Sequence, residues 1–180
     1  MSTQPVYEDV TLAEFAPDSS LFPEVADLFR ATWPDRFFSA SDAAARIRQH
    51  ARYDDFRGVA AVAAGHVVGF VYGYTNAPGQ WWYDQIVEHA RRNGLRLDLR
   101  NSFAFTELAV AGPWRQHGIG QRLHDAVLLG LPHRYAVLST QTDNEAAQAL
   151  YRRNGWETLI PQMRFDGSAP DFVILGKALR

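Results

Sequence analysis

Apolar and polar positions along the 180-residue chain alternate between two periods, and the switches between them predict an ordered series of strands and helices. Val6 to Leu12 reads as a short first strand. Leu21, Val25, Leu28 and Phe29 then recur at helical spacing behind Ser19 or Ser20 as a cap, until Pro34 interrupts the helix. Ser41-Asp42 opens a second helix that runs to about Ala51. Val59 to Ala63 and Val67 to Tyr74 are β-branched apolar runs joined by Ala64-Gly65-His66, the signature of a hairpin.

The stretch from Asn76 to Ser102 is as long as a whole strand-to-strand crossover. Trp82, Ile86 and Ala90 fall at i, i+4 and i+8 within it, so part of it is expected to be helical, ending at Asn93-Gly94. Phe103 to Val110 is the central strand, followed by a helix with Ile119, Leu123, Ala126 and Val127 facing inward. Tyr135 to Thr140 is a further strand and Asn144 to Arg153 a further helix. Trp156 to Phe165 and Phe172 to Lys177 form the last two strands. Arg-Arg-Asn-Gly occurs at Arg91–Gly94 and again at Arg152–Gly155. Arginines suit the negative end of a helix and Gly takes the left-handed conformation past it, so both copies read as helix stops. The alternation of the two periods makes the chain α/β, with a mixed sheet flanked by helices.

Composition narrows the function classes. With 47% hydrophobic and 21% charged residues, the chain suits one soluble domain spanning 1–180. A formal net charge of -2 gives no basic field for nucleic acid or an acidic membrane. Seventeen of the eighteen basic residues are arginine, Lys177 being the one lysine. There is no cysteine, which excludes disulfides, thiolate zinc sites and a cysteine acyl-enzyme. Six histidines show no metal-ligand spacing, so no metal is expected. MSTQPVYEDV carries no basic start followed by an apolar stretch, and no apolar run approaches the roughly 20 residues that span a bilayer. A cytoplasmic location is the expectation.

The candidate chemistry starts where the central strand breaks at Gly112-Pro113. Arg115-x-x-Gly118-x-Gly120 then opens an apolar-periodic helix. Glycines let a turn approach a phosphate closely, and a helix start supplies unpaired N–H donors with partial positive charge. By itself the hexapeptide reads more readily as a plain helix-start turn than as a phosphate site. A P-loop is ruled out because Gln121-Arg122 follow Gly120. A dinucleotide fingerprint is ruled out because Leu123 holds its third small position. His117 lies in the turn within reach of a phosphate oxygen, and His124 reads as solvent-facing.

A second motif decides between these readings. Asn144-Glu145-Ala146-Ala147-Gln148-Ala149-Leu150-Tyr151-Arg152-Arg153-Asn154-Gly155-Trp156 follows one strand later. Together with Glu107-Leu108-Ala109-Val110 and Arg115-x-x-Gly118-x-Gly120, it closely resembles the GNAT superfamily of acyl-CoA-dependent N-acetyltransferases. The likeness is close from Phe103 to Trp156 and looser in topology elsewhere. It implies about seven strands in a mixed sheet that splays between strands 4 and 5, an acyl-CoA-binding core at about 103–156, and an insertion at about 76–102. It also implies that the backbone of Arg115, Gln116, His117, Gly118, Ile119 and Gly120 holds the pyrophosphate of acetyl-CoA. Leu108, Ala109 and Val110 would pair with the pantetheine arm like an added strand, and Asn144 would bond that arm. Acceptor pockets in the family draw on the aromatic stretches, here Trp33, Phe37 and Phe38, then Trp81, Trp82 and Tyr83. About half of these also suit plain core. Asp84 and Glu88, four apart, either present charge to a cation or form a solvated helix face.

The implied reaction is transfer of an acetyl group from acetyl-CoA to a primary amine, directly within a ternary complex. Such a site must remove a proton from the amine and supply one to the departing thiolate. Tyr151 lies seven residues after Asn144, nearly two helical turns, which puts both on one helix face. It reads as the acid, or as a core tyrosine beside Ala147 and Leu150. Some family members carry a carboxylate where Ser139 stands, a departure that leaves Glu107 as the nearest candidate base. Its other reading is a pocket-lining carboxylate. The Val110 amide is the candidate oxyanion donor. The acceptor is expected to be a small amine with apolar bulk or a protein N-terminus, and a homodimer could form through a C-terminal strand edge. The rival reading is a catalytically silent domain of the same shape that binds acyl-CoA.

Overall fold

The computed structural model describes residues 9–167 and 170–179. Seven strands run β1 Thr11–Phe15, β2 Arg57–Ala63, β3 His66–Thr75, β4 Ser102–Val110, β5 Tyr135–Gln141, β6 Glu157–Met163 and β7 Phe172–Ala178. Among the described residues five α-helices accompany them: α1 Phe22–Thr32, α2 Ala40–His50, α3 Trp81–Arg92, α4 Ile119–Leu128 and α5 Glu145–Arg153. The sheet order is β1-β2-β3-β4-β5-β7-β6. β1–β2, β2–β3, β5–β7 and β6–β7 are antiparallel, whereas β4–β5 is parallel. A parallel pair needs a crossover of a dozen or more residues, which the α4 connection supplies. The parallel register joins Ser102–Ala104 to Tyr135–Val137, the first three residues of each strand.

The chain divides into two compact units, Met1–Tyr74 with Glu107–Leu129, and Thr75–Thr106 with Gly130–Arg180. In the first, α1 turns Phe22, Val25, Ala26 and Phe29 into a core shared with Phe15, Phe37, Ile47, Phe70, Tyr72 and Ala109. Phe29 is its hub, with edge contacts to Phe37 at 4.6 Å, Trp33 at 5.3 Å and Phe70 at 5.6 Å. Such aromatic pairs add about 0.5–1.5 kcal/mol each beyond simple burial. The β2–β3 hairpin closes through Ala64 and Gly65, both at positive φ (49° and 81°), the geometry that matches strand twist.

The second unit packs Tyr83 and Ile86 of α3 against Leu99, Val137, Ile160, Met163 and Ile174. Tyr83, Ile86 and Leu99 bring the stretch 76–102 into this core. The two Arg-Arg-Asn-Gly stops behave as expected: helices end at Asn93 and Asn154, with Gly94 and Gly155 at φ 66° and 75°.

Several boundaries differ from the sequence reading. The first strand is Thr11–Phe15, and the Val6–Glu8 portion of the expected strand lies outside the described residues. Neither Ser19 nor Ser20 caps α1; Leu21 is the N-cap residue, and Ser19 Oγ accepts the Leu21 N–H instead. The second helix starts at Ala40 because Ser39 and Asp42 form a reciprocal capping box. β6 stops at Met163, with Phe165 in a 3-10 turn. His124 is buried at 2% exposure, against the expected solvent-facing position, because its Nδ1 bonds the outward Asp125 carboxylate at 2.8 Å and satisfies the ring. Among the described residues no helix is long and apolar enough to cross a membrane.

His50 gives the first unit a pH dependence. Its Nδ1 and the Tyr72 hydroxyl lie 2.9 Å apart. Burial, then Arg46 and Arg36, lower its pKa from 6.5 to about 4. The native state thus keeps His50 neutral where an unfolded chain takes up a proton. Stability is fully present above pH 6.5 and is lost as pH falls towards about 4. Urea unfolding between pH 7 and pH 4 should show a loss of roughly 2–3 kcal/mol from this residue. The loss should be largely absent in His50→Gln; an equally steep dependence in that variant would exclude His50 as the cause.

Candidate functional site

β4 carries the candidate chemistry by simple alternation. Glu107 and Ala109 are buried, while Leu108 and Val110 are half-buried. Ala109 joins the aromatic core of the first unit, which places Glu107 on the same face of the strand. Glu107 Oε1 accepts a hydrogen bond from Arg36 Nη2 at 2.9 Å. The Arg36 guanidinium carbon lies 5.4 Å from the Trp33 ring centre, 5.4 Å from Phe37 and 5.5 Å from Phe29. Glu107, Trp33 and Phe37, each chosen from sequence, therefore meet around an arginine that sequence reasoning missed. Its signal was present: Arg36 is the one cation in the aromatic run Trp33 to Phe38.

Burial raises the Glu107 pKa, and Arg36 and then Arg46 partly oppose it. Tyr72, pushed up mainly by complete burial and then by Glu107, stays neutral behind them. Phe38, by contrast, points away and is 99% exposed.

After β4 the chain makes a 3-10 turn at Gly112–Trp114 and reaches α4 through two left-handed residues, Gln116 (φ 64°) and Gly118 (φ 77°). Two anchors hold its base: Ala111 N–H donates to the Val68 carbonyl at 2.9 Å, and Arg115 Nε donates to the Val110 carbonyl at 2.9 Å. Residues Arg115 to Gly118 are exposed, whereas Ile119 is buried and Gly120 half-buried. No side chain caps the start of α4. A helix start of this kind presents main-chain N–H groups and the positive end of the helix dipole, features that suit an anion such as a diphosphate. Nothing lies within 4 Å of a Cβ built on Gly118, so the position is open as well as left-handed. The Val110 carbonyl thus has a partner within the chain, the Arg115 guanidinium.

In the second unit Asn144 is the N-cap of α5, its Oδ1 accepting the Ala147 N–H at 3.1 Å. Tyr151, one face along the same helix, is buried between Phe105 and Trp156 at ring distances of 5.8 and 5.5 Å. Trp82 donates its indole N–H to Ser139 Oγ at 3.0 Å, and Trp81, half exposed, stacks on Phe165 at 5.5 Å. Glu88 is taken by Arg91 and Arg92 of its own helix, so it behaves as a surface residue and not as a charge offered to a cationic ligand. Asp84 accepts the Gly79 N–H. No cluster of three His, Cys, Asp or Glu that could hold a metal occurs among the described residues.

With this geometry in view, the comparisons with known proteins are decisive at the family level. The profile of the Acetyltransferase (GNAT) family matches residues 22–156. The chain belongs to the GNAT acetyltransferase family. A GCN5-like protein acetyltransferase of Mycobacterium tuberculosis is 36% identical over 121 residues. That match covers 63% of this chain and 59% of the relative, so the chain spans about three-fifths of its length. Two solved structures share the fold. An aminoglycoside 6'-acetyltransferase type Ii has TM-score 0.69 at 18% identity, over 94% of this chain and 97% of that one. An aminoglycoside 6'-N-acetyltransferase complexed with coenzyme A has TM-score 0.66 at 14% identity, covering 94% and 97%.

The Asn144 side chain allows its two roles to be separated. Asn144→Ala should cost about 1 kcal/mol in urea unfolding through loss of the cap. Asn144→Asp keeps the acceptor and should unfold like the parent protein. Weaker acetyl-CoA binding by Asn144→Asp would then report on the side chain facing the ligand and not on loss of the cap.

Proposed function

We propose that this chain transfers an acetyl group from acetyl-CoA to a primary amine within a ternary complex. The observation that carries the reading is the uncapped, exposed turn from Arg115 to Gly118 at the head of α4, a main-chain donor set matched to a diphosphate. Arg115, Gln116, His117, Gly118, Ile119 and Gly120 would hold that group. Leu108, Ala109 and Val110, together with Asn144, would align the pantetheine arm. Acetyl-CoA supplies the thioester and leaves as a thiol.

The chain's own residues then manage two protons. Glu107 takes one from the acceptor ammonium, freeing the nitrogen lone pair to attack the thioester carbonyl. The Val110 N–H stabilises the oxyanion. As the C–S bond breaks, Tyr151 donates its phenolic proton to the sulfur, and the second proton lost by the acceptor nitrogen restores the phenol. Trp33, Phe37, Trp81 and Trp82 supply aromatic faces for an acceptor with apolar bulk. A protein N-terminus is a second acceptor class, suggested by the relative described as a protein acetyltransferase. The whole of the chain as one such domain, acting in the cytoplasm, belongs to the same proposal.

Release of free thiol from acetyl-CoA should depend on an added amine in a panel of arylalkyl amines, aminoglycosides and peptide N-termini. Thermal stabilisation by acetyl-CoA with no amine-dependent thiol would instead favour a silent binding domain. Tyr151→Phe should lower single-turnover acetyl transfer roughly 10²- to 10⁴-fold while acetyl-CoA binding by calorimetry is unchanged. Unchanged transfer would remove Tyr151 from the chemistry.

A further inference from the structure

We propose that Arg36 is a positioning residue for the Glu107 carboxylate, held against three aromatic rings so that the acceptor ammonium meets a charged carboxylate of fixed orientation. The inference rests on Glu107 being the base. Its support is geometric. The hydrogen bond from Arg36 uses Glu107 Oε1 at 2.9 Å, and among the described residues Arg36 is the hydrogen-bond partner of this carboxylate. Oε2 is thereby left for a second donor. The guanidinium is held flat-sided by Phe29, Trp33 and Phe37, so it cannot follow the carboxylate elsewhere without losing contact with those rings. Both partners lie in the same compact unit, joining the segment after α1 to the middle of β4.

The need for such a partner follows from burial. A carboxyl group shut away from water prefers to be neutral, and a neutral acid cannot accept the proton of an ammonium. The groups that face Glu107 are Arg36 from the segment between α1 and α2, Arg46 from α2 and Tyr72 from β3. Tyr72 is neutral and shares its hydroxyl with His50, which burial also keeps neutral at pH 7. Arg46 acts at longer range, through its charge and without a hydrogen bond. Arg36 is therefore the direct counter-charge. The proton moves from the ammonium nitrogen to Glu107 Oε2, while Arg36 keeps its own protons throughout.

The test uses the full chain in two readouts. First, protein labelled with ¹³C at glutamate Cδ is titrated, the Glu107 resonance being identified by its loss in Glu107→Gln. In Arg36→Met the midpoint should rise by about one unit or more, whereas Arg36→Lys, which keeps a cation, should stay near the parent value. Second, the acidic limb of kcat/KM, measured with acetyl-CoA and the best amine of the panel, should move with that midpoint. Arg36→Lys should lower kcat, because an ammonium lacks the planar fork, and leave the acetyl-CoA KM unchanged. If Arg36→Met fails to fold by circular dichroism, the Arg36→Lys titration and its kcat-against-KM split carry the test. An unmoved midpoint in folded Arg36→Met, or Arg36→Lys indistinguishable from the parent protein in kcat, overturns the proposal. If Glu107→Gln keeps the acidic limb, the base reading itself fails and takes this inference with it. If Glu107→Gln loses the limb while Arg36→Met leaves it in place, only the role of Arg36 falls.

Discussion

A carboxylate stripped of water has to be answered by a cation, and around Glu107 the first compact unit is arranged to supply one. Glu107, Arg36, Tyr72 and His50 are among the ionisable groups in or against its aromatic core. A low-dielectric interior tolerates one paired set of charges far better than several loose ones. Burial accordingly drives Tyr72 and His50 to their neutral forms, in opposite pKa directions, and leaves Arg36 and Glu107 as the ion pair. Local structure makes this pairing available. α1 ends at Thr32, so the following aromatic run can fold back over Phe29 and bring Arg36 to the strand. Continuing α1 through Arg36 would put it on the face of Phe29 but about 10 Å further along the axis, and not folded back over that ring.

The same strand sets up the turn that follows. Because Glu107 and Ala109 point into the core, Leu108 and Val110 present the opposite side of β4. The close packing of β3 beneath α4 is seen at Gly69, where a Cβ would stand 3.0 Å from Leu123 and 3.1 Å from the Ala109 carbonyl. A side chain there would require the Leu123 tip and the Ala109 carbonyl to give way by a few tenths of an ångström. With Ala111 tied to Val68 and Arg115 tied to Val110, the foot of the turn is fixed while its tip stays exposed. A loop anchored at its base can be open to an anion without being loose.

Much of the fold was legible because periodicity and punctuation agreed. The hairpin followed from two β-branched runs around Ala64-Gly65, and both Arg-Arg-Asn-Gly stops followed from glycine's freedom at positive φ. Cap identity was less legible, since Ser19, Ser20, Ser39 and Ser41 look alike in sequence and differ only in which N–H each can reach. His124 was misjudged because polarity was taken for exposure, whereas a partner one residue away satisfies the buried ring. For the candidate site, the residues on β4 and α5 were readable from their motifs. Arg36 stood out only as the one cation in its aromatic run, and the partner that gives it a place in the site lies 71 residues away.

Ser139 shows how such a departure can be absorbed. Where relatives can carry a carboxylate, this chain has a hydroxyl that accepts the Trp82 indole N–H, a neutral bond that ties α3 to β5 within the second unit. A carboxylate there would need a counter-charge or would be driven neutral. Among the described residues Glu107 is the one buried carboxylate, so the proposed proton acceptance has a single internal candidate. A base that must act alone gains most from a fixed partner, because no second carboxylate is present to share the proton or correct its position. An unpaired Glu107 would be pulled towards the neutral acid by its own burial. The arginine that holds it charged also lowers its basicity, so the strength of the pair must fall between those limits for the proton to move.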